Sequence, residues 1–160
     1  MKKRLKTIIP ALIMIVLTVF VAWYIAGEKI IKVNSDDIKI IKVSSETPLF
    51  GEYYNCIIDF SSNTVTETGR REGNEYENTN HFSDEDKENF VVKANEYGFF
   101  NWKESYLKNI STNDSTMHEI CITYTDDSKQ YISYQQPGMP PAYEYDEMTT
   151  VFLKTFGCLI

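Results

Sequence analysis

The chain has 160 residues, enough for a short N-terminal segment and one ordinary domain, and its 14% aromatic content favours a folded domain over a disordered one. The net charge is −7, and residues 1–27 hold four basic residues and no acid, so residues 28–160 carry a net charge of −11. A domain this acidic repels nucleic acid and anionic lipid headgroups, which excludes a nucleic-acid-binding protein.

An uncharged, apolar stretch runs from Thr7 to Gly27, directly after the basic residues. About 20 apolar residues in a helix span roughly 30 Å, the thickness of the hydrocarbon core of a bilayer. We therefore predict that residues 8–26 form a single transmembrane helix. Basic flanks stay in the cytoplasm, so the C-terminal domain is expected on the outer side of the cell membrane, with Trp23 and Tyr24 at the outer interface.

The stretch YIAGEKI (24–30) determines whether this helix stays attached. Signal peptidases prefer small residues at the −3 and −1 positions. A cut after Ala26 would place Tyr24 at −3, and a cut after Gly27 would place Ile25 there. A lipoprotein signal needs a cysteine just after the apolar run, and the first cysteine is Cys56. We predict an uncut signal anchor, with cleavage at a poor site as the alternative.

The rest of the chain is predicted to contain a juxtamembrane connector at 28–37 and an extracytoplasmic domain at 38–160. The connector is short, since ten extended residues reach at most about 35 Å. Polar and apolar residues alternate in EYYNCIIDF (52–60), which places Tyr54, Cys56, Ile58 and Phe60 on one face of a strand.

Turn residues divide the domain into its predicted elements. A first strand is expected at 37–48, and residues 70–82 are either a marginal edge strand or a loop. The two predicted hairpins pair 52–60 with 64–69 through SSN, and 117–125 with 129–135 through DDS.

Two helices are predicted, at 83–98 and 143–157. Ser83 can cap the first helix together with Asp86, and Gly98 can end it. The second helix places Tyr145, Met148, Phe152 and Phe156 at helical spacing. The fold class is therefore α+β: a mainly antiparallel sheet of two hairpins with two helices on one face, in two layers.

This layout resembles small bacterial domains of unknown function that follow signal anchors or lipoprotein signals. The segments that carry the resemblance are CIIDFSSNTVTETG, FSDEDKENFVVKANEYGFF and EICITYTDDSKQYISY, within residues 38–157. The chain departs from the pattern where SSN and DDS replace the Asp-Gly turn. The resemblance implies a fold and a bacterial origin, in line with 13 lysines against three arginines, and implies no activity.

The three cysteines leave at least one free thiol if a disulfide forms. Alternation places Cys56 and Cys121 on opposite faces of the sheet, which excludes their pairing; a Cys121–Cys158 bond is less excluded, and the absence of a disulfide is favoured. His118 is expected to face away from Cys121, so the two do not form a nucleophilic or zinc-binding pair.

We expect no metal, no cofactor and no catalytic residues. The acidic runs at 84–86 and 144–147 begin predicted helices, where the helix dipole accounts for them. His81 is expected to be structural or exposed. An envelope enzyme that uses Cys121 or an acid pair is the weakest interpretation.

Tyrosines are the residues in excess that favour a binding role. Tyr131, Tyr134, Tyr143 and Tyr145 lie around the QQPGMPP segment in the sequence, and Tyr53 lies opposite the predicted core face. Exposed tyrosines suit contacts with a protein or a glycan. The interpretation that we favour is that several of them simply cover sheet edges and helix ends. The predicted function is a membrane-anchored, non-catalytic interaction module whose partner is an envelope protein or itself, with a cell-wall glycan-binding module as the alternative.

Overall fold

The computed structural model describes residues 31–47, 51–106, 116–135, 140, 142–158 and 160. They form an α+β domain, which confirms the predicted fold class. The strands are β1 (Ile38–Thr47), β2 (Glu52–Asp59), β3 (Thr64–Arg71), β4 (Asn74–His81), β5 (Met117–Tyr124) and β6 (Lys129–Gln135), and the helices are α1 (Asp84–Glu96) and α2 (Ala142–Phe156).

No helix among the described residues has the length and apolar character that crossing a membrane requires. The predicted anchor at 8–26 and its cleavage site lie outside the described residues.

All six strands join one antiparallel sheet in the order β4-β3-β2-β1-β5-β6. β1 lies in the middle, between β2 and β5. Both predicted hairpins, β2–β3 and β5–β6, are confirmed. Register across the centre aligns Ile58 with Ile41 and Ile41 with Ile122, so one face of the sheet is continuously apolar at this level.

Residues 70–82 were predicted to be either a marginal edge strand or a loop. They contain the end of β3 and the whole of β4, so the edge strand is correct. Glu72 and Gly73 form the two-residue turn and both have positive φ, of 52° and 80°. Positive φ at both central positions is the geometry that matches the twist of a hairpin. Every residue of β4 is exposed, which explains why no apolar alternation marks this strand in the sequence.

The opposite edge of the sheet is covered. Ser133 on β6 donates its N–H to the carbonyl of Glu104 at 3.0 Å, and Tyr106 donates its N–H to the carbonyl of Ser133 at 2.9 Å. A short parallel bridge at Ser105 thus extends the sheet beyond β6.

Both helices pack on the same face of the sheet. Ser83 and Asp86 form the predicted capping box: Asp86 donates its N–H to Ser83 Oγ at 3.1 Å, and Ser83 donates its N–H to Asp86 Oδ2 at 3.0 Å. Phe90 on α1 packs edge-on against Phe152 on α2, with ring centroids 4.9 Å apart. Of the stripe predicted on α2, Met148, Phe152 and Phe156 are buried and Tyr145 is half-buried. They share the core with apolar residues of α1 and of the segment after it, namely Phe90, Val91, Ala94, Phe99, Phe100 and Trp102.

The predicted connector at 28–37 belongs in part to the domain, whose compact unit begins at Ile31. Val33 and Ser35 are buried. The Ser35 hydroxyl donates to Glu88 on α1, and residues 35–37 form a short 3₁₀ turn that leads into β1. The sequence of this segment has no regular periodicity, so it gives no sign that these residues belong to the domain.

A disulfide joins Cys56 on β2 to Cys158 after α2, across 102 residues of sequence. The expectation of no disulfide is therefore wrong, and the pairing considered for Cys158 named the wrong partner. Cys121 is the free cysteine of the described residues. Cys56 faces the helices, as its alternation predicted, and the chain after α2 returns over that face at Gly157, which has a φ of 76°.

Candidate functional site

The face of the sheet opposite the helices, here called the outer face, is not covered by any described helix or strand. Its side chains are the outward members of each strand's alternation, and none of them is buried. In an antiparallel sheet with one open face, outward positions are usually polar. Among the outward side chains that depart from that rule, Ile57, Met117 and Tyr131 are the most exposed, at 40–49%.

Six outward residues of β1, β2 and β5 form what we call the outer-face patch. They lie in two cross-strand rows set by the register, the first Tyr53–Glu46–Met117 and the second Asn55–Ser44–Glu119. Together with Ser45, they line a shallow depression of about 400 Å³. The patch lies on three inner strands, near the end of β1 and the beginnings of β2 and β5, and each of these strands is paired on both sides.

The patch combines two carboxylates with an aromatic ring and a thioether. Glu46 and Glu119 are exposed and diagonal across neighbouring strands, a spacing of about 7–8 Å. Arg70 on β3 lies beside the patch, with its guanidinium carbon 5.9 Å from the centre of the Tyr53 ring. Lys42 lies on β1, two residues from Ser44. The arrangement is suited to holding a cationic side chain between two acids, with its aliphatic part on Met117.

The four tyrosines predicted to form a binding surface do not lie together. Tyr131 is on the outer face, and Tyr143 is 69% exposed on α2, in the other layer. Tyr134 is fully buried and Tyr145 is half-buried against it, with ring centroids 5.6 Å apart. The expectation that Tyr134 is exposed is wrong, because the odd spacing from Tyr131 turns it to the helix face.

Tyr134 is instead a core residue that stacks on His118. The two rings are parallel, with centroids 4.8 Å apart. Burial raises the pKa of the Tyr134 hydroxyl above its ordinary value, and the neighbouring Tyr145 adds to that shift. Burial also lowers the pKa of His118. Both groups are therefore kept neutral near pH 7, as suits a packed pair.

The predicted separation of His118 and Cys121 is confirmed. His118 pairs with Tyr134 in the register and faces the helices, whereas Cys121 pairs with Tyr131 and faces outward. A thiol and an imidazole on opposite faces of a strand cannot exchange a proton directly. His81 is exposed on β4.

One cluster of potential metal ligands occurs among the described residues. Cys56, Glu67 and Cys158 place their ligand atoms within 4.8 Å of one another. Two of these ligands are joined in the disulfide, and Glu67 accepts a hydrogen bond from the Tyr54 hydroxyl at 2.7 Å. The cluster as it stands offers a metal ion a single carboxylate, which does not make a site.

Comparison with models of known protein families found no match, and comparison with curated proteins found no match either. The outer-face patch is therefore assigned from its own geometry.

Sequence reasoning missed the patch apart from Tyr53. Its members come from two consecutive strands and from β5, which lies far from them in the chain, and all but Met117 are ordinary polar or tyrosine residues at outward positions. The one local signal was Met117, an apolar residue out of phase with the inward series Ile120 and Ile122.

Proposed function

We propose that this protein is a single-pass, membrane-anchored extracytoplasmic interaction module, and that the outer-face patch binds a basic segment of a partner protein in the envelope. The observation that carries the proposal is the patch itself. An uncovered sheet face holds two exposed carboxylates beside Tyr53 and Met117, around a depression of about 400 Å³.

Charge supports a basic partner. Residues 28–160 carry a net charge of −11, which attracts cationic surfaces and raises the rate of encounter with them. Within the patch, Glu46 and Glu119 offer the acceptors that a lysine or arginine side chain needs. Tyrosine and methionine are enriched at protein interfaces, where they contribute apolar contact area.

The anchor supports an envelope location. The apolar stretch at 8–26 follows four basic residues, an arrangement typical of an N-terminus in the cytoplasm and a domain outside. The compact domain begins at Ile31, so only residues 27–30 separate it from the proposed anchor. The glycan-binding alternative is less well supported, because its four tyrosines do not form one exposed surface: Tyr134 is buried and Tyr143 lies in the other layer.

Binding can be tested with the full-length chain in detergent micelles. A lysine- and arginine-rich peptide and an acidic peptide of equal length serve as probes, with calorimetry or NMR shift perturbation as the readout. We expect the basic peptide alone to bind and to shift the signals of Tyr53 and Met117. The double variant Glu46→Gln with Glu119→Gln should lose most of the affinity.

A matched control separates the patch from general charge. Glu104→Gln with Asp146→Asn removes the same charge at exposed positions away from the outer-face patch and should leave binding intact. Equal losses of affinity in the two double variants would show that the peptide binds through nonspecific charge attraction and not through the patch.

The proposed membrane anchor at 8–26 can be tested separately. Added protease should degrade the domain in intact cells, and mass spectrometry of the native chain should find residues 1–30 still attached. Recovery of a detergent-free chain that begins near Glu28 would contradict the anchor.

A further inference from the structure

Strand β4 (Asn74–His81) is a long, regular and fully exposed sheet edge. Its eight residues pair with β3 on one side, and no described strand lies on the other. The opposite edge at β6 is closed by the segment around Ser105. An open edge of this length is a template for pairing with another strand, and proteins commonly cover such edges.

The register shows which backbone groups of β4 face outward. Phe82 donates its N–H to the carbonyl of Asn63, and the ladder continues with Thr64 opposite His81. Hydrogen-bonded and non-hydrogen-bonded pairs alternate in an antiparallel ladder. The even-numbered residues of β4 therefore bond to β3, and the N–H and C=O groups that point away from the sheet belong to Glu75, Glu77, Thr79 and His81.

We infer that β4 is a self-association edge, at which two copies of this chain pair antiparallel about a twofold axis at Asn78. Outward groups of one copy then meet outward groups of the other, and about eight backbone hydrogen bonds join the two sheets into one. This inference is independent of the proposed function, because the outer-face patch lies on β1, β2 and β5 and stays open in the pair.

The side chains favour this register over its neighbours. Centring on Asn78 sets Glu75 opposite His81 of the second copy, and Glu77 opposite Thr79. An imidazole N–H can donate to a Glu75 oxygen while Arg70 holds the other, since Arg70 Nη2 lies 2.7 Å from Glu75 Oε1. Centring on Glu77 would set two carboxylates directly opposite each other, which is unfavourable.

A twofold axis at Thr79 would leave Glu75 with no β4 residue of the second copy opposite it. That register forms about six backbone hydrogen bonds rather than eight. The Asn78 register retains one unfavourable contact: the two Glu77 carboxylates are diagonal neighbours at about 7–8 Å. Glu77→Gln should therefore tighten the association several-fold.

Cysteine cross-linking of the full-length chain, in a Cys121→Ser background, tests the register. Residues opposite each other in a non-hydrogen-bonded pair have Cα atoms about 4.5 Å apart, within reach of a disulfide. Asn78→Cys should give a covalent dimer under mild oxidation. Glu75→Cys is the matched control on the same exposed strand, because its two copies would lie about 20 Å apart and should not cross-link.

Association itself is measured by light scattering on the full-length chain in detergent micelles. Thr79→Pro removes one outward N–H and spares the ladder to β3, because edge strands tolerate proline on their open side. It should abolish the dimer and leave the circular dichroism spectrum unchanged. Glu75→Lys should weaken association about tenfold, and Glu75→Lys with His81→Glu should restore it.

Two results would overturn the inference. One is a wild-type chain that stays monomeric across the measured concentrations, with Asn78→Cys uncross-linked. The other is a dimer that persists in Thr79→Pro or cross-links as well through Glu75→Cys as through Asn78→Cys, which would place the contact elsewhere.

Discussion

Asn95 binds the backbone of Val33 through both groups of its side-chain amide. Val33 donates its N–H to Asn95 Oδ1 at 3.0 Å, and Asn95 Nδ2 donates to the carbonyl of Val33 at 2.7 Å. The same amide donates to the carbonyl of Val91 at 3.0 Å. Helix α1 thus holds the first residues of the domain in place, and Val33 is part of the core.

Removing that amide should loosen the start of the domain. Asn95→Ala leaves the partly buried N–H and C=O of Val33 without partners, which should lower the free energy of unfolding by about 1–3 kcal/mol. Asn101 makes the same pair of bonds to Ile31 at an exposed position, so Asn101→Ala should cost less than about 1 kcal/mol. Urea denaturation measures both, and equal losses would contradict the importance of burial.

Loss of the disulfide should destabilise the domain more than any single hydrogen bond. The bond closes a long loop, with Cys56 and Cys158 separated by 102 residues, and removing such a native disulfide typically costs about 2–5 kcal/mol. Cys158→Ser should show that loss in denaturant melts, and a reducing agent should produce it in the wild type. Cys121→Ser is the control and should melt like the wild type in either condition.

Acid should destabilise the domain through His118. Burial lowers the pKa of this imidazole in the folded state, so below the unfolded-state value of about 6.5 the unfolded chain binds more protons. The free energy of unfolding therefore keeps its full value above about pH 6.5 and falls as the pH drops below that value. His118→Phe should flatten this part of the stability profile.

The His118 imidazole can also be followed directly by NMR titration. Its resonance should titrate below the unfolded-state value of about 6.5, because burial lowers the pKa of this group. Titration at or above that value would contradict its burial.

Gly69 on β3 should not accept a side chain. A Cβ there would lie 2.6 Å from Tyr76 Oη and 2.8 Å from the carbonyl oxygen of Tyr53. The Tyr76 ring can rotate away, whereas the Tyr53 backbone is held in the sheet. We expect Gly69→Ala to lower the free energy of unfolding by about 1–3 kcal/mol. The loss should persist in a Tyr76→Ser background, and full rescue there would assign the conflict to Tyr76 alone.

Local sequence pattern determined the helices and the hairpins. The Ser83–Asp86 capping box, the apolar stripe that follows it and the alternation across 52–60 each depend on residues within about ten positions of one another. Such patterns report directly on the period of a helix or a strand. Alternation also places His118 and Cys121 on opposite faces of β5, and the odd spacing of Tyr131 and Tyr134 places them on opposite faces of β6.

The tertiary structure alone decided which distant segments meet. The pairing of β1 with β5, the Cys56–Cys158 bond and the hydrogen bonds of Asn95 to Val33 all join residues that are far apart in the chain. The outer-face patch has the same origin, since it needs three strands in a particular register. Sheet order and register minimise the free energy of the whole core, so no short window of sequence contains them.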